Sequence, residues 1–588
     1  MNQLQLSITA LLLGSSTLIQ AADEAISPLI VTATRTAQSA DETLASVTVI
    51  TREEIETSQA NSLMELIQGR TVGLDISRNG GPGSNTSVYL RGSESDHVLV
   101  LIDGVRVASV TTGSFNWASI PAAQIERIEI VRGPNSTLYG SDAIGGVIQI
   151  FTRKAQGTQL SVGGGSYNTK KATVGNGGSL GNGNYHITLD HQQSDGFSTK
   201  IPTASNYEAD NDAYKKDSVT AGLSLPLGTT TNLALNLFHS SARNEYDAST
   251  PDAYAVSRNS SADAALDWQT SEDWAQRFVL SSSEDFSESF DSWPSKITTR
   301  RSGLSWQNDI SLNETTLLTF GAEAQRDNGE NKDNFKEEVN NNALFGQSQW
   351  SGEQYDILVG LRSDKHSKYG SHSTGRLTLG SRLGNGRLFA SHATAFKAPT
   401  FNELYYPFYG DPDTKPEESA SSELGYRLGG FQASLFQTKV TNLIQSDPIT
   451  WLVVNIGKAT LEGLELEYNQ QVGGWQLNSG LTLQKAEDDA TGERLLRRAE
   501  KKLFFTANGP VSGHGTIGIE ASYTGPRMDY GSVELTSYTL LNLTGEYRFS
   551  KQWSLSGRIE NLLDEDYMLA NGYNTPGASA YANINFKM

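Results

Sequence analysis

The stretch Glu126–Thr152, E-R-I-E-I-V-R-G-P-N-S-T-L-Y-G-S-D-A-I-G-G-V-I-Q-I-F-T, decides the fold. It reads as strand, tight turn, strand. Ile128 and Ile130 alternate with Arg127 and Glu129, the period-2 pattern of a half-buried strand. Gly133-Pro134-Asn135 then resets the backbone into a turn. Gly145-Gly146 lets a second apolar run, Val147–Phe151, pack close to its neighbours. Just upstream, Ser87–Arg91 and Asp96–Ile102, closed by Asp103-Gly104, read as a second strand–turn–strand unit, and the two units together describe a small sheet domain.

Working outward, the chain of 588 residues carries a formal charge of −20, which argues against nucleic acid as a partner, because phosphate binding needs clustered Lys and Arg. With no cysteine, neither a thiolate metal site nor a disulfide framework is available. At the start, the apolar stretch Ile8–Ile19 precedes the small residues of Gln20-Ala21-Ala22-Asp23. It is too short for a spanning helix and suits an export signal over residues 1–22, although Met1–Ser7 lacks the usual Lys or Arg. No other segment approaches 18 uninterrupted apolar residues. If the chain lies in a membrane, it does so as a closed β-barrel, the other architecture that satisfies every backbone group in lipid.

Arg91–Arg106, R-G-S-E-S-D-H-V-L-V-L-I-D-G-V-R, and the whole of Glu126–Thr152 resemble the plug domain of TonB-dependent outer-membrane receptors, and within that family the cobalamin receptors. The resemblance implies an all-β transmembrane barrel of about 22 antiparallel strands with an N-terminal α+β plug domain inside its lumen. It implies a TonB-box segment over residues 23–40, a plug over 41–153 and a barrel over 154–588. Leu29-Ile30-Val31-Thr32-Ala33, by itself a short extended segment, is similar to the TonB box, which pairs with TonB (working with ExbB and ExbD) by strand addition. Thr51 with Glu54 and Ser62 with Glu65 are capping-box spacings that open two plug helices.

Beyond about Lys154 the pattern alternates to the end. Tyr185, Ile187 and Leu189 stand against His186, Thr188 and Asp190; Leu464, Leu466 and Tyr468 stand against Glu465 and Glu467. A soluble sandwich gives the same local alternation but does not normally sustain it over more than 400 residues without helical interruptions. A membrane barrel does, with the apolar face on outer-membrane lipid and the charged face in the lumen.

Among chemistry-bearing constellations, the acids come first. Glu208, Asp210 and Asp212 fall in one predicted outer loop, and Tyr246, Asp247 and Asp252 in the next. Alternate carboxylates either form a solvated acidic loop or converge on a hard cation with an oxygen shell. The resemblance implies the second: Ca²⁺ held by Glu208, Asp210, Asp212, Tyr246, Asp247 and Asp252, ordering the loops over substrate. One aspartate of that pattern is Ser198 here, with Asp195 close by. The resemblance also places substrate contacts at Asn79, Asn85, Ser87, Thr111, Thr112, Ala248, Arg497 and Tyr530. An arginine there can donate to amide or phosphate oxygens and a tyrosine can stack.

No His-Glu-x-x-His spacing, Gly-x-Ser-x-Gly elbow or thiol nucleophile exists, and the Gly-rich segments 80–83 and 140–146 lack the Lys-Ser/Thr of a nucleotide loop, so no enzyme activity is expected. The expected function is TonB-driven uptake of cobalamin or a related corrinoid by a monomer. Phages and bacteriocins are candidate users of its outer loops. A ferric-siderophore or haem receptor is the alternative within the family, and a passive porin or surface adhesin the alternative outside it.

Overall fold

The computed structural model describes residues 43–447, 450 and 452–588, together with the backbone of 30–31 and 38–39. The expected export signal lies outside the described residues, as do Leu29, Thr32 and Ala33. Ile30–Val31 pairs antiparallel with Gln38–Ser39.

The N-terminal body contains β1 (Val47–Ile50), β2 (Leu74–Arg78), β3 (Thr86–Leu90), β4 (Val98–Ile102), β5 (Val105–Arg106), β6 (Ile125–Arg132) and β7 (Gly146–Thr152). Five of these form one sheet in the order β1-β6-β7-β4-β5, with β4 and β7 parallel and β6 and β7 antiparallel. The opening stretch thus supplies the two central strands, with Ile128 facing Ile150 and Ile130 facing Ile148 in register, all four fully buried. Gly146, at φ 152°, lies so near β6 that a Cβ on it would collide with Val131 O.

Helices α1 (Arg52–Ser58) and α2 (Leu63–Gln68) cover the sheet, Leu63, Leu66 and Ile67 joining its core. Thr51 and Glu54 form the expected capping box; Ser62 caps Glu65 N, but the Glu65 carboxylate turns to Asn61 N at 2.8 Å.

Two expectations need correction. The β6–β7 connection is not a tight turn: after Gly133 it winds into a one-turn helix, α3 (Ser136–Tyr139). And Ser87–Arg91 does not pair with the strand that follows it. β3 forms a separate hairpin with β2, while Ser95–His97 is a 3₁₀ turn whose His97 side chain is fully buried.

The remaining chain closes a barrel of 22 antiparallel strands, from β8 (Gly157–Gly165) to Ser579–Lys587, which pair with each other. The strands that matter below are β9 (Thr169–Leu180), β10 (Gly183–Ser194), β11 (Tyr214–Pro226), β12 (Thr231–Glu245) and β13 (Tyr254–Ser271). At one end the connections are two to four residues long, as at 181–182 and 227–230; at the other they include 195–213, 398–416, 442–457 and 561–578. Short turns face the periplasm and long loops the exterior, which orients the barrel.

Alternation sorts residues as the two solvents require. Ile187 and Leu189 are 41% and 51% exposed on the outside wall, whereas Glu465 is buried inside against the N-terminal body. That body is therefore a plug. Arg91, one residue past β3, donates to Glu465 at 2.8 and 3.0 Å and to Glu423 at 2.9 Å; Arg132 of β6 donates to Glu467 at 3.2 Å. His97 Nε2 meets Glu417 at 2.9 Å, and Lys397 reaches Asp96 at 2.8 Å.

Candidate functional site

Loops 195–213 and 246–253 join adjacent strand pairs, β10–β11 and β12–β13, so their acids meet at the outer mouth. Carboxylate oxygens of Asp210, Asp212 and Asp247 lie within 4.8 Å of one another. The loops themselves hold these acids. Thr199 N donates to Asp212 at 2.5 Å; Lys200 N and Ser198 Oγ donate to one Asp247 oxygen at 2.8 and 3.1 Å, and Glu208 N to the other at 3.1 Å. Among the described residues no basic side chain forms an ion pair with any of the three.

Burial, joined by the charges of Asp247 and Asp210, pushes Asp212 up to about 6; burial and Asp247 also raise Asp210. Three crowded carboxylates without a counter-charge form an all-oxygen donor set of the kind that suits a hard divalent cation. Glu208 and Asp252 stand outside that 4.8 Å group, and the Tyr246 hydroxyl donates instead to Asp291 at 2.5 Å.

The acid loops are fastened to the plug apex. Loop 79–85 turns beneath them, closed by Asn79 N donating to Asn85 O at 3.1 Å. A Cβ on Gly80, at φ 110°, would stand 2.6 Å from Thr199 Cγ2, so only glycine allows this approach. Thr199 Oγ1 in turn accepts from Asp247 N at 3.0 Å, and Asn574 of the last outer loop donates to Ser198 O and Lys200 O at 2.9 and 2.6 Å. Any ion ordering these loops therefore acts directly on the apex.

The expected substrate contacts divide by exposure. Asn85, Thr112 and Tyr530 are exposed, Asn79, Ser87, Ala248 and Arg497 half-buried, and Thr111 buried. Thr111 faces the wall, its hydroxyl 3.2 Å from Thr299 Oγ1, while its carbonyl accepts from Asn402 N at 2.9 Å in outer helix α4 (Phe401–Tyr405). Arg497, at φ 68°, donates to Asp529 at 2.7 Å, and its guanidinium lies 4.9 Å from the Tyr530 ring centre. That ring is 66% exposed and open to a flat ligand.

Sequence reasoning passed over the buried ion pairs between plug and wall. Their trace was legible: Arg91 closes an apolar strand, His97 precedes the run V-L-V-L-I, and Glu465 and Glu467 fall on the inward positions of their strand. Their partners, some 300 residues away, carry no local signal.

A plug pinned inside a 22-strand barrel beneath long outer loops defines a receptor that must move its own stopper. The chain matches the family described as TonB dependent receptor-like, beta-barrel, over residues 151–562, and the TonB-dependent receptor plug domain over 39–147. It belongs to the TonB-dependent receptors of the Gram-negative outer membrane, which bind substrate outside and TonB inside. Among curated relatives it is similar to the Vitamin B12 transporter BtuB of Photobacterium profundum, at 31% identity over 96% of both chains. The protein of the same name from Vibrio cholerae is 30% identical over 95% of both. Solved structures share the fold: the siderophore receptor PirA of Acinetobacter baumannii has a TM-score of 0.79 at 19% identity, covering 92% of this chain and 98% of its own. The ferric enterobactin receptor of Pseudomonas aeruginosa has 0.80 at 20%, covering 93% and 100%.

Proposed function

We propose that this receptor carries cobalamin, or a closely related corrinoid, across the outer membrane. The similarity over nearly the whole chain to proteins named vitamin B12 transporters carries the reading; the siderophore receptors are similar at an identity that speaks for the fold alone. Substrate lands between the apex loops and Tyr530. Calcium held by Asp210, Asp212 and Asp247 ties loops 195–213 and 246–253 together over the Gly80 apex. Ser198, Glu208 and Asp252 mark a smaller ligand set than the resemblance implies. Leu29–Ala33, similar in sequence to the TonB box, is where TonB adds by strand pairing, and through it the inner-membrane partner supplies the work of moving the plug.

The test is a titration of the detergent-solubilised receptor with cyanocobalamin, with and without calcium, and with ferric enterobactin as competitor. Tight binding strengthened by calcium is expected. Tight binding of the ferric chelate with no cobalamin binding would reject the substrate, and cobalamin uptake that survives deletion of Leu29–Ala33 would reject active transport.

A further inference from the structure

Arg497 and Arg498 are neighbours in outer loop 489–500, yet their guanidinium groups serve different parts of the molecule. Arg497 turns to outer loop 525–537, where it donates to Asp529 and lies beside the Tyr530 ring. Arg498 turns to the plug. It is buried, donates to Gly92 O at 3.2 Å and Ser93 O at 3.1 Å, and pairs with Glu94 at 2.7 Å. Its guanidinium also lies 4.3 Å from the ring centre of Tyr89 on β3. Besides Leu496 O of its own loop, every group it reaches thus lies between Tyr89 and Glu94.

The backbone that joins the two arginines is held on both sides. Arg497 adopts φ 68°, a left-handed conformation that a bulky residue keeps only under outside restraint. That restraint is Met528 O, which accepts from Arg497 N at 2.7 Å. On the far side of Arg498, Ala499 N donates to Asp75 of β2 at 3.4 Å. Asp529 is buried and fixed in turn, its second oxygen accepting from Asn571 N at 2.6 Å. A displacement of the Arg497 guanidinium is therefore passed to Arg498 rather than absorbed by a slack loop.

The turn that Arg498 grips begins at a buried pin. Arg91 and Gly92 both have positive φ, 53° and 75°, and the Arg91 guanidinium is the one that meets Glu423 and Glu465. A Cβ on Gly92 would stand 2.9 Å from Ala486 Cβ of the wall, so the turn has no room on that side. We propose that Arg498 is a positioning residue: it relays occupancy of the outer mouth to the turn Arg91–Glu94, and so to the ion pairs that pin the plug. The relay rests on the reading of Arg497 and Tyr530 as substrate contacts; Arg498 acts through the turn and not on the substrate. A planar fork serving two carbonyls and a carboxylate at once transmits direction, which a point charge does not.

The experiment measures cobalamin affinity and plug hydrogen–deuterium exchange on the full-length receptor in detergent, and cobalamin uptake by cells. The reporting amides are Arg91 N and Ser93 N, which donate to Gly73 O and Leu90 O at 2.6 and 3.1 Å. R498Q is compared with R376Q, a control that removes another wall arginine's bonds to the plug, at Leu44 O and Asn135. Folding is checked by the heat-dependent shift in electrophoretic mobility. R498K stands in if R498Q fails it, since lysine keeps a charge beside Glu94 but cannot serve both carbonyls. In wild type and R376Q, saturating cobalamin should change exchange across residues 91–94. R498Q should bind cobalamin within about threefold of wild type, lose that change, and transport at least about tenfold more slowly at saturation. A merely structural role would raise exchange with and without cobalamin alike and keep the difference between them. A difference retained in R498Q, no difference in wild type, or loss of cobalamin affinity in R498Q overturns the proposal. Failure of wild type itself to bind cobalamin would reject the substrate, and the relay with it.

Discussion

Asp247 accepts three hydrogen bonds from two stretches of its neighbouring loop and still lies close to Asp210 and Asp212. Two like charges about 4 Å apart repel by about 4 kcal/mol at the dielectric of a protein surface, and a divalent ion between them reverses the sign. Asp247→Asn keeps the shape and removes the charge. It should weaken calcium about ten- to a hundredfold in a calorimetric titration, and abolish the calcium dependence of cobalamin binding. Unchanged calcium affinity would mean that the trio is only a solvated acidic loop.

Arg91 is the buried counterpart of this arithmetic. Flanked by Glu423 and Glu465, it is held charged by both carboxylates, whose pull outweighs the opposing effect of burial. Arg91→Ala leaves Glu423 without its ion-pair partner and Glu465 with Arg132 alone, at 3.2 Å, and should lower stability by about 3–5 kcal/mol in denaturant unfolding. Arg91→Ala with Glu423→Gln should recover part of the loss, because the stranded charge goes with it. A double variant no better than the single would show that the arginine acts through packing alone.

At the scale of elements, what could be read from the chain was whatever repeats or clashes locally. Alternation marked the wall, as at Leu464–Tyr468, and the spacing of Thr51 and Glu54 marked α1, because each signal is complete within a few residues. Helix α3 was not legible. S-T-L-Y has no cap pair, and its turn is held in place by Arg362 of the wall, which donates to Leu138 O at 3.2 Å. The partner of β3 is the strand before it, β2, reached through loop 79–85, and not the strand after it, from which the 3₁₀ turn Ser95–His97 separates it. In the acid site, three of the six expected ligands converge; Glu208, Tyr246 and Asp252 belong to the same loops, but which oxygen turns inward is fixed by backbone hydrogen bonds that composition cannot show. The Gly146 contact is a case where a local signal and its tertiary cause agree. Gly146→Ala should destabilise the plug sheet by at least about 2 kcal/mol, since it combines strain at positive φ with a collision against Val131 O. Loss of amide-exchange protection in β6 and β7 would report it, and full protection would show that the sheet yields without strain.

For the molecule as a whole, transport requires a stopper that is both pinned and movable. The plug meets the wall through buried charges on the side of Glu423, Glu465 and Glu467 and through α3 near Arg362. Substrate binding needs only the outer mouth, whereas passage needs these contacts to give way; the two functions should therefore separate when the plug is fastened. Thr137 of α3 and Gly360 of the wall offer a clean fastening point. A Cβ on Gly360 would stand 3.7 Å from Thr137 Cβ, inside the range a disulfide accepts, and the natural chain has no cysteine to interfere. T137C/G360C should bind cobalamin as tightly as wild type when oxidised, yet support no uptake by cells. A reductant should restore uptake, while each single cysteine variant transports throughout. If uptake continues with the disulfide fully formed, then α3 stays against the wall during transport, and the moving part of the stopper lies elsewhere in the plug.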